Sequence, residues 1–153
     1  MINDIEQYFA YDLEYSHIVR EIKTPVSIYS SLASAEGRCI KTEAVWDTAT
    51  HSVISSKIVK EFDLISIDKK VVGGIGQVVE SDVVVATLIL PNDMLLTKKR
   101  FLVGNIPGAD VLIGMDIISM GDFVITNARG KTFFSFVIPT LNNKISFREK
   151  VNN

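Results

Sequence analysis

Ala44-Val45-Trp46-Asp47-Thr48-Ala49-Thr50-His51-Ser52-Val53-Ile54 is the stretch on which the reading of this chain turns. An apolar run ends in a carboxylate, and small and hydroxyl residues follow. A carboxylate at the end of a buried strand costs free energy unless a partner or a function holds it there. Upstream, Arg38 to Trp46 alternates toward a strand through Cys39, Thr42, Ala44 and Trp46. Before it, Val19 to Ser30 is strand-like, with β-favouring Val26, Ile28 and Tyr29, and Pro25 marking an edge or a strand start. The small, polar Ser31 to Gly37 reads as the turn between them, so a hairpin runs straight into Asp47. Downstream, Val53, Ile54, Ile58, Val59 and Phe62 recur at helical spacing. That spacing predicts a short amphipathic helix over 52–62, packed on the sheet.

The remainder is rich in strands. Leu64 to Asp68 is extended, and Lys70 to Val79 reads strand, glycine turn, strand. Gly73, Gly74 and Gly76 give that hairpin a pliable tip around Ile75. Val78 to Leu90 is a long β-rich run closed by the turn Pro91-Asn92-Asp93, and Leu95 to Val103 is the next strand. After the turn Asn105 to Gly108, Ala109 to Ile113 begins as a buried strand that Gly114 stops. Asp116 is placed to cap a short helix through Met120, which Gly121-Asp122 ends. Phe123 to Thr126 and Thr132 to Val137 flank a turn at Asn127 to Gly130. Short strands with frequent turns predict an all-β barrel or sandwich, without the strand–helix alternation of a parallel sheet. Residues 1–20 read as a short helix or a loosely docked arm, and Leu141 to Asn153 as an arm or tail.

The chain has 153 residues, 47% apolar and 22% charged, which suits one domain with a real core. A formal net charge of −2 gives no reason to expect nucleic acid or an anionic membrane as partner. Cys39 is the single cysteine, so no internal disulfide forms, and one Cys with two His does not make a conventional zinc site. Neither a metal nor a cofactor is expected. The N-terminus lacks a basic start and an apolar core, and no apolar run approaches the ~18–20 residues of a membrane span. The expected location is the cytoplasm.

The order of features is the informative part. Trp46-Asp47-Thr48-Ala49-Thr50 precedes the Gly73-Gly74-Ile75-Gly76 hairpin, and then comes Val111-Leu112-Ile113-Gly114-Met115-Asp116. This series resembles the retropepsin-like aspartic proteases, the family of retroviral and retrotransposon proteases and their bacterial relatives. Gly121 to Asn127 and Phe134-Ser135-Phe136 look like the bacterial branch. The resemblance spans about 20–140, with a segment at 1–19 and a tail at 141–153 outside it. Its departure is Ala49, where Gly is more usual.

The resemblance implies a single-lobe β-barrel with one or two short helices, forming a homodimer. It implies that Asp47 is the catalytic acid and that Thr48 bonds across the two-fold axis. Ala49 would keep the loop small where substrate passes. Gly73, Gly74, Ile75 and Gly76 would form a flap over an extended peptide, and Leu112, Ile113 and Gly114 would pack beneath the catalytic loop. Hydrolysing a peptide without metal or covalent intermediate takes one carboxylate to activate water and a second to protonate the amide. The chain offers one Asp-Thr-Ala loop, and Asp116 and Asp122 lack its flanking pattern. Asp47 must therefore meet its twin in an isologous homodimer.

Other readings fit parts of the pattern. Asp47 alone reads as an acid starting a turn, and Gly73 to Gly76 as a plain hairpin. His51 reads as a surface or partly buried residue, Cys39 as a small apolar filler, and Trp46 as core. Gly74-x-Gly76 lacks the third glycine and the following helix of a nucleotide site. Cys39 with His51 lacks the third group of a thiol protease. Two whole-chain alternatives stand beside the protease: a dimer that grips peptide or protein without cutting, and a β-domain that dimerises only for assembly.

Overall fold

The computed structural model describes residues 7–30, 38–74 and 76–151. The expected turn at 31–37 and Ile75 at the hairpin tip lie outside the described residues. The elements are β1 (Phe9–Glu14), β2 (Lys23–Ser30), β3 (Cys39–Trp46), β4 (Val53–Ser55), α1 (Ser56–Glu61), β5 (Asp68–Gly74), β6 (Gln77–Leu90) and β7 (Met94–Gly104). They continue with β8 (Val111–Ile113), α2 (Met115–Ile118), β9 (Asp122–Ala128), β10 (Lys131–Ile138) and α3 (Phe147–Val151).

Six strands close into a barrel in the order β2-β3-β8-β4-β7-β6, sealed where β2 pairs with β6 through Ile28 and Leu88. Closure removes the open edges that a sheet otherwise presents. The 14-residue β6 serves two purposes, and its burial pattern records both. Its exposed first half pairs with β5 as a projecting hairpin, and its alternating second half lines the barrel.

The fold is all-β, as expected, with three short helices among the described residues where one or two were expected. Two pairings inside the barrel are nonetheless parallel, β3 with β8 and β4 with β7. The chain returns to each parallel partner through α1 and the β5–β6 hairpin and not through a single strand–helix–strand unit, so periodicity gave no sign of it.

The segment 52–62 is not one helix. Val53 and Ile54 are strand residues between β7 and β8, and the helix starts only after Ser55. The Ser55 hydroxyl accepts from Ile58 N at 3.3 Å and caps α1. Val53, Ile54 and Ile58 satisfy either period, and the cap decides where one gives way to the other. The N-terminal segment also differs from its expectation as a helix or loose arm. Phe9–Glu14 is a strand that pairs with β10 from Phe9↔Ile138 to Glu14↔Phe133. A partner more than a hundred residues away leaves no mark on local sequence.

The three-stranded sheet β1-β10-β9 joins the barrel through aromatic side chains. Trp46 packs its ring 5.0 Å from Phe134, 4.8 Å from Phe136 and 5.7 Å from Phe123, centroid to centroid. Its indole N–H donates to the buried Thr24 hydroxyl at 2.9 Å, so the polar atom is satisfied. Trp46 is core, and it fixes the end of β3 immediately before Asp47.

Candidate active site

Asp47 leaves β3 with its backbone still tied to the barrel: its N–H donates to Ile113 O at 2.9 Å. This bond extends the parallel ladder in which Trp46 faces Ile113. The Asp47 carboxylate then accepts the Ala49 N–H on Oδ1 at 2.8 Å. Such a bond two residues ahead is an Asx turn, which aims the carboxyl group by means of its own backbone. Asp47 is half-buried, whereas Thr48, Ala49 and His51 are exposed.

The loop is held from beneath by Ile113, Gly114 and the start of α2. Met115 N donates to Thr50 O at 2.8 Å. Ser52 is 1% exposed, and its hydroxyl accepts from Gly114 N at 3.0 Å. The same hydroxyl donates to Asp116 Oδ1 at 2.9 Å, and Ser52 N donates to that oxygen at 2.7 Å. Gly114 leaves no room for a side chain: a Cβ there would lie 2.3 Å from Thr50 O and 2.6 Å from Ser52 N. Leu112 stands further back, paired with Val45 on one side and Val53 on the other.

Asp116 differs from its expectation as a helix cap. Gly114 is the N-cap of α2 and makes no side-chain cap bond, while the Asp116 carboxylate turns back onto Ser52. Sequence reasoning passed over both Ser52 and Asp116 as parts of the site. They are 64 positions apart, and the one available signal was a hydroxyl residue at the head of an apolar run.

Gly73 and Gly74 lie on the projecting hairpin, where Gly74 pairs with Gln77. Gly76 has φ +79°, a left-handed conformation that glycine adopts freely. Val71 is 72% exposed and Val78 75%, so the hairpin carries apolar side chains that the chain itself leaves uncovered.

Next to the Asp47 loop is an open groove of about 820 Å³, walled by Thr48, Met115, Phe123, Val137, Leu141 and Ile145 among others. Asp122 sits in its lining, where its carboxylate accepts the Thr140 hydroxyl at 2.6 Å and Leu141 N at 2.7 Å. Those two bonds hold the Asp122 carboxyl below the usual carboxylate range. Just before β8, burial pushes Asp110 up, but the Ser55 hydroxyl, the Lys57 ammonium and the Thr42 hydroxyl outweigh it and bring the carboxyl down. Cys39 begins β3 and Asp47 follows its end, so at about 3.3 Å per residue the two stand roughly 26 Å apart along the strand. Among the described residues, no three His, Cys, Asp or Glu side chains gather as a metal site would require. No helix among them is long and apolar enough to cross a membrane.

No family model and no curated protein matches the sequence. Solved structures do. A retropepsin-like aspartic protease from Rickettsia conorii superposes with a TM-score of 0.53 over 86% of this chain and 96% of that one, at 7% identity. The EIAV protease in complex with an inhibitor aligns with 65% of this chain and 86% of its own, at 22% identity and a TM-score of 0.46. The Rickettsia alignment shows a shared fold: the architecture built here around Asp47 is retropepsin-like.

Proposed function

We propose that this chain is one half of an aspartic endopeptidase, its second half being another copy of itself. The observation that carries the reading is Asp47. In a retropepsin-like barrel it stands at the end of β3, anchored through its own N–H and aimed by Ala49, with its surroundings open beside Thr48. Two Asp47 carboxylates brought within a few ångströms share a proton, because like charges that close do not both ionise. The ionised one takes a proton from water, which attacks the peptide carbonyl. The protonated one polarises that carbonyl, and a proton then passes to the leaving nitrogen. Their titration belongs to the pair.

Thr48 ties the two loops across the axis. The β5–β6 hairpin lies along an extended peptide, with Gly73, Gly74 and Gly76 allowing it to open and close, and its exposed valines fit apolar side chains on either side of the cleaved bond. We assign this work to residues 20–140, with 1–19 and 141–153 flanking them. No metal or cofactor takes part, and a lone cysteine fits a reducing compartment such as the cytoplasm.

One feature favours a dimer that grips peptide without cutting it: Ala49, where glycine is usual. The two readings separate on Asp47→Asn. Cleavage of an apolar peptide should fall by at least about 10³-fold while sedimentation still reports a dimer. An Asp47→Asn variant that cuts at the original rate removes Asp47 from the chemistry. Peptides left whole by the native chain from acidic to neutral pH, with no binding of a statine-type mimic, would favour the gripping dimer.

A further inference from the structure

The β5–β6 hairpin has two sides of different character. In paired strands, residues opposite one another share a side, and so do residues two apart along a strand. Val72 lies opposite Val79, Lys70 opposite Ser81 and Asp68 opposite Val83 on one side. Val71 with Glu80 and Lys69 with Asp82 lie on the other. The first side continues across the barrel. Val83 is level with Leu102, Leu102 with Val53, Val53 with Leu112, and Leu112 with Val45. Val45 is two residues before Asp47, and Trp46 between them is turned into the core. The side of the hairpin that carries Lys70, Val72 and Val79 is therefore the side on which Asp47 stands.

Charge divides between the two sides as well. Glu80 and Asp82 belong to the far side, where the Lys69 ammonium holds the first at 3.4 Å and the Ser66 hydroxyl the second at 2.9 Å. On the Asp47 side, Asp68 is bound to the Arg100 guanidinium at 2.9 Å. Lys70 is exposed and has no carboxylate partner among the described residues. We propose that Lys70 selects the substrate, an extended peptide whose apolar centre is flanked by carboxylates. The inference rests on reading Asp47 as half of a carboxylate pair covered by the hairpin. The peptide side chain against Val72 is apolar. Lys70 is two residues nearer the base of the hairpin, about 6.6 Å along β5. An extended peptide rises by the same amount per residue, so its side chain two positions farther out meets the ammonium. Arg100 neutralises Asp68, which leaves this side of the hairpin net positive. An isologous dimer supplies a second Lys70 across the two-fold axis, so the preference falls on both ends of the peptide.

The experiment compares two peptides at pH 6, where glutamate is ionised. Both have apolar residues on each side of the cleaved bond, and two residues beyond each apolar residue one peptide carries Glu and the other Gln. The ratio of their kcat/KM values is taken within each variant, so a change in folding or dimerisation cancels. The native chain should prefer the Glu peptide by about tenfold at low salt. That preference should shrink at about 1 M salt, where charges are screened beyond about 3 Å. The ratio should fall to about one for Lys70→Met and drop below one for Lys70→Glu. A native ratio near one overturns the selection, and so does a preference that survives Lys70→Met, above all one that disappears with Arg100→Met. Calorimetry with Asp47→Asn reads the same preference as affinity, without cleavage. If the native chain cleaves neither peptide yet binds the Glu form more tightly through Lys70, the selection stands and the protease reading fails. If it cleaves both alike, Asp47 stands and the selection fails. A chain that neither binds nor cleaves either peptide overturns both.

Discussion

The loop from Asp47 to Ser52 and the hairpin β5–β6 are both short, exposed excursions from the same barrel, yet the chain treats them in opposite ways. The loop is bound at Asp47 N, Ala49 N, Thr50 O, Ser52 N and the Ser52 hydroxyl, by groups on β8, α2 and itself. Beyond its base, where Asp68 meets Arg100 and the Ser81 hydroxyl bonds Val103, the hairpin is bound along the β5–β6 ladder, and it ends the seven-stranded sheet with its valines uncovered. The loop's geometry is therefore complete within one chain, and that of the hairpin is completed by whatever it closes on. A reacting carboxylate needs the first arrangement, because a small displacement of it costs rate. A cover that must admit a peptide needs the second.

Gly114→Ala attacks the bound side at its tightest point, and the largest effect is expected there. Its methyl group would meet backbone atoms of Thr50, His51 and Ser52, none of which has a free direction in which to move. A loss of about 3 kcal/mol or more should appear as a lower urea midpoint. An unchanged midpoint would mean the loop yields as freely as the hairpin. Asp116→Ala comes next. It strips two hydrogen bonds from a buried serine and should cost about 1–3 kcal/mol. The loss of kcat should exceed any change in KM, because the bonds position Asp47 without touching substrate. Asp116→Asn keeps an acceptor oxygen and should restore most of both. If Asn performs no better than Ala, the carboxylate is present for its charge and not for its geometry.

The third effect is smaller and depends on pH. Asp122 holds the start of the tail, and its carboxyl is depressed by the Thr140 hydroxyl and Leu141 N. A depressed acid contributes stability that is full above its unfolded value, about 3.9, and is lost as pH falls through the lower folded value. Thermal unfolding followed from pH 6 down to pH 2 should show that loss below about pH 4. Asp122→Asn should flatten part of it. Asp110, depressed in the same direction, contributes to what is left. An Asp122→Asn curve that tracks the native one would show that the anchor is not felt.

The same contrast governs how much could be read from sequence. The hairpin's glycines and the strands around it are local signals, and they mark β6 and β7 to within a residue, while β5 runs from Asp68 through Gly74, taking in two of the glycines read as turn and leaving 64–67 outside any strand. The order of Asp47-Thr48-Ala49, Gly73-Gly74 and Ile113-Gly114 likewise carried the fold. What escaped depends on distant partners: β1 on β10, the parallel ladders of β8 and β4, and the grip of Asp116 on Ser52. Asp116 is the instructive case. An acid near a helix start suggested a cap, and only the three-dimensional approach of Ser52 shows which donors it serves.

Gly73→Ala is the sharpest comparison because it repeats the Gly114 substitution in the other region. An added Cβ at Gly73 meets nothing within 4 Å, and its backbone is not left-handed. The folded state therefore has no clash to relieve, while the unfolded chain loses freedom. Stability should hold or rise by up to about 1 kcal/mol, the opposite sign to Gly114→Ala. If the hairpin must bend to admit peptide, the stiffened chain should show a raised KM or a slowed kcat despite its unimpaired fold. Equal destabilisation by the two substitutions would mean the hairpin is as tightly built as the loop, and an unaltered rate would mean that no bending at Gly73 is required for turnover.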